Sequence, residues 1–181
     1  MAAQRSYPHF SACGLNCGLC PRHYTDGSSR CPGCGGEDFS AKHPACGVLS
    51  CSTKRGLEYC YLCDEYPCKK YDKALVDSFI THQHIFTDPE RAKRLGIEAY
   101  RQELEEKITL LQRLLQDDDD GRRKSFFCLA VNLLPLEDIT AALAASKAQL
   151  SETPKERAAK ITELFRAAAE QRGIPLKLIK Q

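Results

Sequence analysis

Ten of the eleven cysteines in this 181-residue chain lie close together, at spacings typical of metal ligands. They are Cys13, Cys17, Cys20, Cys31, Cys34, Cys46, Cys51, Cys60, Cys63 and Cys68. Three gaps have the form C-x-x-C: Cys17/Cys20, Cys31/Cys34 and Cys60/Cys63. Two cysteines at this spacing can direct both sulfurs at one ion, because the backbone between them forms a tight turn. Thiolates so arranged are typical of tetrahedral zinc sites and of iron–sulfur clusters.

Disulfide pairing is the alternative explanation of this cluster, because the number of clustered cysteines is even. Residues 1–8 lack the apolar core of a secretion signal. We therefore expect a cytoplasmic protein, and in a reducing compartment clustered cysteines bind metal more often than they form disulfides. No run of residues approaches the roughly 18 consecutive apolar positions of a membrane span, so no membrane contact is predicted.

The charge of the chain argues against nucleic acid as its partner. The formal net charge is only +2, whereas strong nucleic-acid binders concentrate far more positive charge on one face. Basic residues do occur near the cysteines, but acidic residues offset them; the basic ones are Arg22, Arg30, Lys42, Lys54, Arg55, Lys69 and Lys70. A protein partner or a small molecule is therefore expected rather than nucleic acid.

The cysteine-rich part is too poor in aliphatic side chains to fold around a hydrophobic core. Residues 31–36 read Cys-Pro-Gly-Cys-Gly-Gly, which predicts a turn because Gly permits a positive φ and Pro fixes its own φ. Such a segment buries too little apolar surface to offset its chain entropy, and bound metal would supply the missing stability. We predict a small irregular metal-bound module over residues 1–70.

Residues 71–181 have the periodicity of helices, which predicts an all-α part packed with the module and a mainly α protein overall. Helices are expected over residues 72–79, 88–116, 135–146 and 155–172. Asp88 before a proline, and Thr153 before another, have the pattern of N-caps. Gly173 is expected to end the last helix.

Two smaller features of this part also carry predictions. Residues 176–180 are expected to form a short strand or a packed tail. Cys128 lies within an apolar run, which predicts a buried small side chain rather than a metal ligand.

Two stretches together resemble a cysteine-rich family of bacteria and archaea that is catalogued as a domain of unknown function. Residues 13–21 read CGLNCGLCP, and residues 54–68 read KRGLEYCYLCDEYPC. Members of that family open with CGLxCxxC, continue with CxGC and close on C-x-x-C-x-x-aromatic-Pro-Cys. The resemblance covers about residues 10–75 and implies metal binding, usually supposed to be of zinc. It implies no reaction.

The spacing leaves the division of the ten cysteines between metals open. One division joins Cys17, Cys20, Cys31 and Cys34, and gives a second ion Cys60 and Cys63 with two of Cys46, Cys51 and Cys68. An arrangement that pairs the first C-x-x-C with the third fits equally well. Two four-ligand sites leave two thiols over. His9, His23 and His43 lie in or beside the cluster, and we expect them to be packing or surface residues.

Zinc, as two ions, is the expected cofactor, with an iron–sulfur cluster as the alternative. Cys13, Cys17 and Cys20 have the spacing of the triplet that holds the cluster of radical S-adenosylmethionine enzymes. Those enzymes need a barrel of α/β units, and no βα repeats follow the triplet here. An iron–sulfur cluster that takes its fourth ligand from elsewhere in the chain, such as Cys68, is therefore kept as an alternative.

Three functions are compatible with this sequence. The first is a structural or binding module that carries zinc. The second is an iron–sulfur protein in electron transfer or sulfur chemistry. The third is a metalloenzyme with an open coordination position, for which Glu58, Asp64 and Glu65 are the nearby acid–base candidates. Whether the protein is an enzyme is therefore left open. The tyrosines around the last cysteines, Tyr59, Tyr61, Tyr66 and Tyr71, are expected to cover the metal core.

Overall fold

A computed structural model describes residues 4–72, 74–147 and 153–180 of the chain. Within these residues it contains α-helices and short 3₁₀ helices but no strand. The helices are α1 (Phe39–Lys42), α2 (Gly47–Lys54), α3 (Thr87–Leu95), α4 (Ile97–Asp117), α5 (Lys124–Leu133), α6 (Leu136–Lys147) and α7 (Pro154–Gln171). The predicted mainly α fold with an irregular cysteine-rich N-terminal region is thus confirmed.

Short 3₁₀ turns shape the cysteine-rich region, and two of them coincide with C-x-x-C pairs. The turn Cys17–Leu19 closes with the Cys20 N–H donating to the Cys17 carbonyl, and the turn Cys60–Leu62 closes in the same way at Cys63. Gly33 has φ +89°, and a Cβ at this position would lie 2.6 Å from the Pro8 carbonyl oxygen. The chain therefore needs glycine here to bring residues 31–34 against the N-terminal segment.

The helix predicted over residues 72–79 is wrong. Lys73 lies outside the described residues, and residues 74–80 form turns and bends. The buried Asp77 carboxylate is the physical reason, because it accepts the N–H groups of His82 at 2.6 Å and Ile179 at 2.7 Å. These bonds fold the segment back on itself. Within this segment, the apolar side chains of Leu75 and Phe79 are exposed.

The helix predicted over residues 88–116 is two helices, α3 and α4. Gly96 separates them with φ +87°, outside the helical region. The predicted N-cap role of Asp88 is also wrong, because α3 begins at Thr87 and has Phe86 at its N-cap. The Asp88 carboxylate instead accepts a hydrogen bond from the side-chain amide of Asn16 at 2.8 Å.

The structure confirms the predicted start and end signals of α7 and the predicted burial of Cys128. Thr153 caps α7 in a full capping box, with its hydroxyl accepting the Glu156 N–H and the Glu156 carboxylate accepting the Thr153 N–H. Gly173 ends the helix at φ +66°, and the Ile174 N–H returns to the Ala169 carbonyl at 2.8 Å, as in a Schellman motif. Cys128 is buried within α5, as predicted.

The chain forms two compact units, Met1–Leu104 with Leu178–Gln181, and Glu105–Lys177. In the first unit, the C-terminal tail is held by backbone hydrogen bonds of Ile179, whose carbonyl accepts the Asp77 N–H at 2.9 Å. In the second, Phe127, Leu111 and Phe165 lie fully buried in the helical core. None of the helices in the described part of the chain is long and apolar enough to cross a membrane. The metal-dependent module over residues 1–70 stays a prediction.

Candidate metal centre

Four of the clustered cysteines line one small cavity of about 80 Å³ in the first unit. They are Cys51, Cys60, Cys63 and Cys68, and we call the space between them the four-thiol cavity. Cys51 lies within α2, whereas the other three lie at or beside short 3₁₀ turns. Burial raises the pKa of the Cys60 thiol, and repulsion from the other three thiols raises it further. The four sulfurs are therefore close enough to interact electrostatically.

A guanidinium group contacts the rim of the four-thiol cavity. Arg55 follows α2 as its C-cap, and its Nη1 donates to Cys63 Sγ at 3.1 Å. Its Nη2 donates to Glu65 Oε1 at 2.8 Å, which fixes the orientation of the guanidinium. The hydrogen bond from Arg55 to Glu65, the charge of that carboxylate and the charge of Cys63 raise the pKa of Arg55 above its ordinary value. This site thus combines thiols with a permanent positive charge.

Two tyrosines line the inner side of the same cavity. The rings of Tyr66 and Tyr71 meet edge to face at 5.3 Å, and both pack in a cluster that includes Cys13, Cys60 and Cys68. Burial raises the pKa of Tyr66 to about 12, so its phenol is neutral at physiological pH. The Tyr66 hydroxyl is buried and has no hydrogen-bond partner among the described residues.

The remaining six clustered cysteines form a second set, which we call the six-thiol group: Cys13, Cys17, Cys20, Cys31, Cys34 and Cys46. Burial raises the pKa of the Cys17 thiol well above its ordinary value, and repulsion from Cys34, Cys13, Cys20 and Cys31 adds to this. Burial likewise raises the pKa of Cys13 to about 12, with added repulsion from Cys34 and Cys46. The six thiols are thus electrostatically connected.

Backbone hydrogen bonds hold the segments of the six-thiol group together. The Cys34 N–H donates to the Pro8 carbonyl at 2.9 Å, and the Cys31 N–H donates to the Arg22 carbonyl at 2.9 Å. Ser11 adds a side-chain contact, because its Oγ lies 3.1 Å from Cys13 Sγ and accepts the Leu15 N–H at 2.7 Å. These bonds fix the C-x-x-C turns relative to the N-terminal segment.

Asn16 anchors the C-G-L-N-C motif in a buried polar network that the sequence analysis did not identify. Its amide donates to Asp88 at 2.8 Å, and its Oδ1 accepts the hydroxyl of Tyr100 at 2.9 Å. All three residues are buried. The sequence offers one signal of this network, the short polar residue Asn16 between two cysteines. That signal does not reveal hydrogen-bond partners more than 70 residues away. The network positions the backbone between Cys13 and Cys17.

The structure brings Cys17, Cys20, Cys31 and Cys34 together, and it joins Cys60 and Cys63 to Cys51 and Cys68. Cys46, an alternative for the second set, lies in the six-thiol group and accepts the Leu49 N–H as the N-cap of α2. As they stand, the described residues contain no group of three or more His, Cys, Asp or Glu side chains that could hold a metal ion. The assignment of the cysteines as ligands therefore stays a prediction.

The histidines near the cysteines have other partners. His23 is buried, with Nδ1 at 2.9 Å from the Cys31 carbonyl oxygen, and its ring meets His9 edge to face. His43 Nδ1 lies 2.8 Å from the Pro44 carbonyl oxygen. His23 is thus a packing residue, whereas His43 is exposed at the surface.

The acid–base candidates differ in their surroundings. Glu58 accepts from Arg101 at 2.8 Å, and Glu65 accepts from Arg55. Asp64 is exposed. Among the tyrosines, Tyr59 is buried and stacks against Tyr61 at 5.4 Å. Tyr71 is also buried. Tyr59 and Tyr71 are therefore the two of the four tyrosines that pack inside the cysteine-rich region.

Comparison with known proteins gives one match. Residues 9–73 match the model of a family described as a protein of unknown function, DUF3795. Over this stretch the chain is similar to that family. The matched residues include all ten clustered cysteines, so the predicted resemblance to a domain of unknown function is confirmed for the cysteine-rich region. No curated protein matches the chain. No solved structure matches it either.

Proposed function

We propose that this protein binds metal through its clustered thiolates, as two zinc ions, and serves as a structural or binding module. The observation that carries the proposal is the four-thiol cavity, where four cysteines from three segments surround about 80 Å³. Four partly buried thiol side chains contribute little stability of their own to this region. As thiolates around a divalent ion, the same four side chains would supply much of the stability that this region lacks.

The donor set of the four-thiol cavity fits zinc. Zinc in structural sites takes four ligands in a tetrahedron, and cysteine sulfur is a preferred donor. Four thiolates around a divalent ion have a net charge of about −2, and Arg55 at Cys63 would offset part of it. The four sulfur atoms would move closer together when they bind the ion, because folding and metal binding are coupled in sites of this kind.

The six-thiol group would hold the second ion through Cys17, Cys20, Cys31 and Cys34. Backbone bonds from Cys31 and Cys34 to the segments around Arg22 and Pro8 support this choice, because they fix the two C-x-x-C turns in one place. Cys13 and Cys46 are then the surplus thiols. We propose a cytoplasmic location, where thiolates persist, and a protein or a small molecule as the partner.

An iron–sulfur protein in electron transfer or sulfur chemistry is the second candidate. The grouping of Cys13, Cys17 and Cys20 in the six-thiol group favours it, because repulsion from Cys13 and Cys20 contributes to the raised pKa of Cys17. Three cysteines at these spacings suit three corners of a four-iron cluster. Another thiol of the group would then supply the fourth corner.

Purification without oxygen, followed by elemental analysis and an absorption spectrum, tests both candidates. About two zinc ions per chain and no visible absorption would support the zinc module. Iron with acid-labile sulfide and a broad visible band would instead support the cluster protein. Protein that retains neither metal, under reducing conditions and after zinc is added back, would contradict the proposed function.

A further inference from the structure

Cys63 differs from the other thiols of the four-thiol cavity in its hydrogen-bond partner. Arg55 Nη1 donates to its sulfur at 3.1 Å, and the pairing of Nη2 with Glu65 holds the guanidinium in that orientation. Hydrogen bonds from a charged donor are roughly twice as strong as neutral ones. Tyr71 packs near Cys60, and burial raises the pKa of its phenol, which keeps the hydroxyl neutral. The sulfur of Cys63 therefore accepts a charge-assisted hydrogen bond.

Cys63 also lies between exposed residues at the edge of the cavity. Leu62 before it is 53 % exposed, and Asp64 and Glu65 after it are exposed. Cys60 and Cys68 pack instead in the cluster around the buried Tyr71. Cys51 is held within α2. Of these four cysteines, Cys63 is thus the one that lies neither within a helix nor in that cluster.

We propose that Cys63 is the releasable ligand of the four-thiol cavity, and that Arg55 is the positioning residue that makes it so. The inference rests on the proposed function, because it requires a metal in this cavity. A guanidinium that donates to a sulfur draws negative charge away from it, which weakens that sulfur's bond to a metal.

Release of one thiolate would change what the site can do. A structural zinc site is closed by four protein ligands, whereas a catalytic one keeps three and leaves a position for water or substrate. With Cys63 displaced, Cys51, Cys60 and Cys68 would remain as three ligands. The open position would lie beside the guanidinium of Arg55, which favours an anionic incoming ligand. The cavity would thus pass between a closed and an open form.

Site-resolved alkylation of the zinc-loaded full chain tests this inference. A short pulse of iodoacetamide is followed by peptide mass spectrometry, and the metal content of the same sample is measured in parallel. We expect Cys63 to be modified first among the four cysteines. Arg55→Gln should slow the modification of Cys63 by about tenfold, the effect of losing one charged hydrogen bond. Arg55→Lys should restore part of the rate.

Lys54→Gln is the matched control, because it removes one positive charge from the same end of α2, where Lys54 is exposed. In this variant the rate of alkylation of Cys63 should stay within about twofold of the rate in the protein without a substitution, since exposed charges interact weakly. Equal effects of Arg55→Gln and Lys54→Gln would overturn the inference, as would earlier modification of another cysteine of the cavity. In both cases a full metal content would leave the proposed function standing. A chain without metal would overturn both.

Discussion

The Tyr71 hydroxyl, on a ring that lines the four-thiol cavity, donates to the backbone carbonyl of Cys13 at 3.2 Å. Cys13 belongs to the six-thiol group, so a single side chain contacts both sets of cysteines. A backbone bond joins the same two segments, because the Cys60 N–H donates to the Ala12 carbonyl at 2.8 Å. Changes in one set are therefore expected to reach the other through Tyr71.

Tyr71→Phe removes this hydroxyl and keeps the buried ring. We expect the zinc-loaded variant to lose about 1–2 kcal/mol of unfolding free energy, because a buried hydrogen bond is lost and the Cys13 carbonyl loses a donor. Urea denaturation followed by circular dichroism measures the change. Tyr61→Phe is the control, since Tyr61 is partly exposed and stacks on Tyr59 through its ring. Equal effects of the two substitutions would contradict a specific role of the Tyr71 hydroxyl.

Cys51→Ala should lower the zinc content by about one ion per chain, because three thiols of the four-thiol cavity would remain and bind much more weakly. Elemental analysis of the purified reduced protein measures the change. Cys128→Ala is the matched control, since Cys128 is buried within α5 in the second unit. It should keep the full metal content and lose only the stability of a small core side chain. Metal loss in the control would show that the cysteines are divided wrongly.

Gly33→Ala is expected to disrupt the six-thiol group. The new Cβ would lie 2.6 Å from the Pro8 carbonyl oxygen, the acceptor of the Cys34 N–H, at a φ of +89°. We expect a loss of at least about 3 kcal/mol, since strain and a backbone clash combine. Gly121→Ala separates the two effects. Gly121 has φ +80° but nothing within 4 Å of a new Cβ, so only about 1 kcal/mol should be lost.

Thermal unfolding of the zinc-loaded variants compares these two glycines. The clash explanation predicts a clearly larger loss for Gly33→Ala, together with a lower zinc content. If both variants lose the same stability, φ strain alone would be responsible, and the approach of Pro8 to residue 33 would have no energetic importance.

The grouping of the cysteines could be predicted only in part from the sequence. The C-x-x-C pairs are local, and a tight turn fixes each pair without help from the rest of the fold. Cys46 and Cys51 could not be assigned, because both are close in sequence to the third pair. In the structure Cys46 is the extended N-cap residue of α2, whereas Cys51 lies within that helix. The two side chains therefore belong to different sets, because only Cys51 lines the four-thiol cavity.

Long-range hydrogen bonds explain most of the other places where the structure differs from the sequence-based prediction. Asp77 bonds to Ile179, 102 positions away, and this pairing overrides the helical pattern of residues 74–80. Asp88 has the sequence pattern of an N-cap, but the distant Asn16 takes its carboxylate. The pattern across Gly96 is helical on both sides, so only the positive φ of the folded chain reveals the break. By contrast, the signals at Thr153 and Gly173 are local, and the structure confirms both.

Zinc uptake should depend on pH through the buried thiols. Burial raises the pKa of Cys13 to about 12 and also raises the pKa of Cys17, Cys20, Cys34 and Cys60. These thiols are therefore protonated at pH 7, and the proposed ligands among them, Cys17, Cys20, Cys34 and Cys60, must each lose a proton to bind zinc. The affinity for zinc should rise with pH from about 6 to 9, because proton competition falls. Zinc added to the reduced protein in weak buffer should release about four protons per ion, and release near zero would contradict thiolate ligation.

Removal of zinc by a chelator should unfold the cysteine-rich region and leave much of the helix content. In the second unit, Leu111, Phe127 and Phe165 form a helical core without any clustered cysteine, so this unit does not need metal for its stability. The cysteine-rich region has few aliphatic side chains to replace the lost bonds. Circular dichroism should retain most of its helical signal, and limited proteolysis should cut within residues 10–70. Protection of these residues without metal would contradict the metal-dependent module.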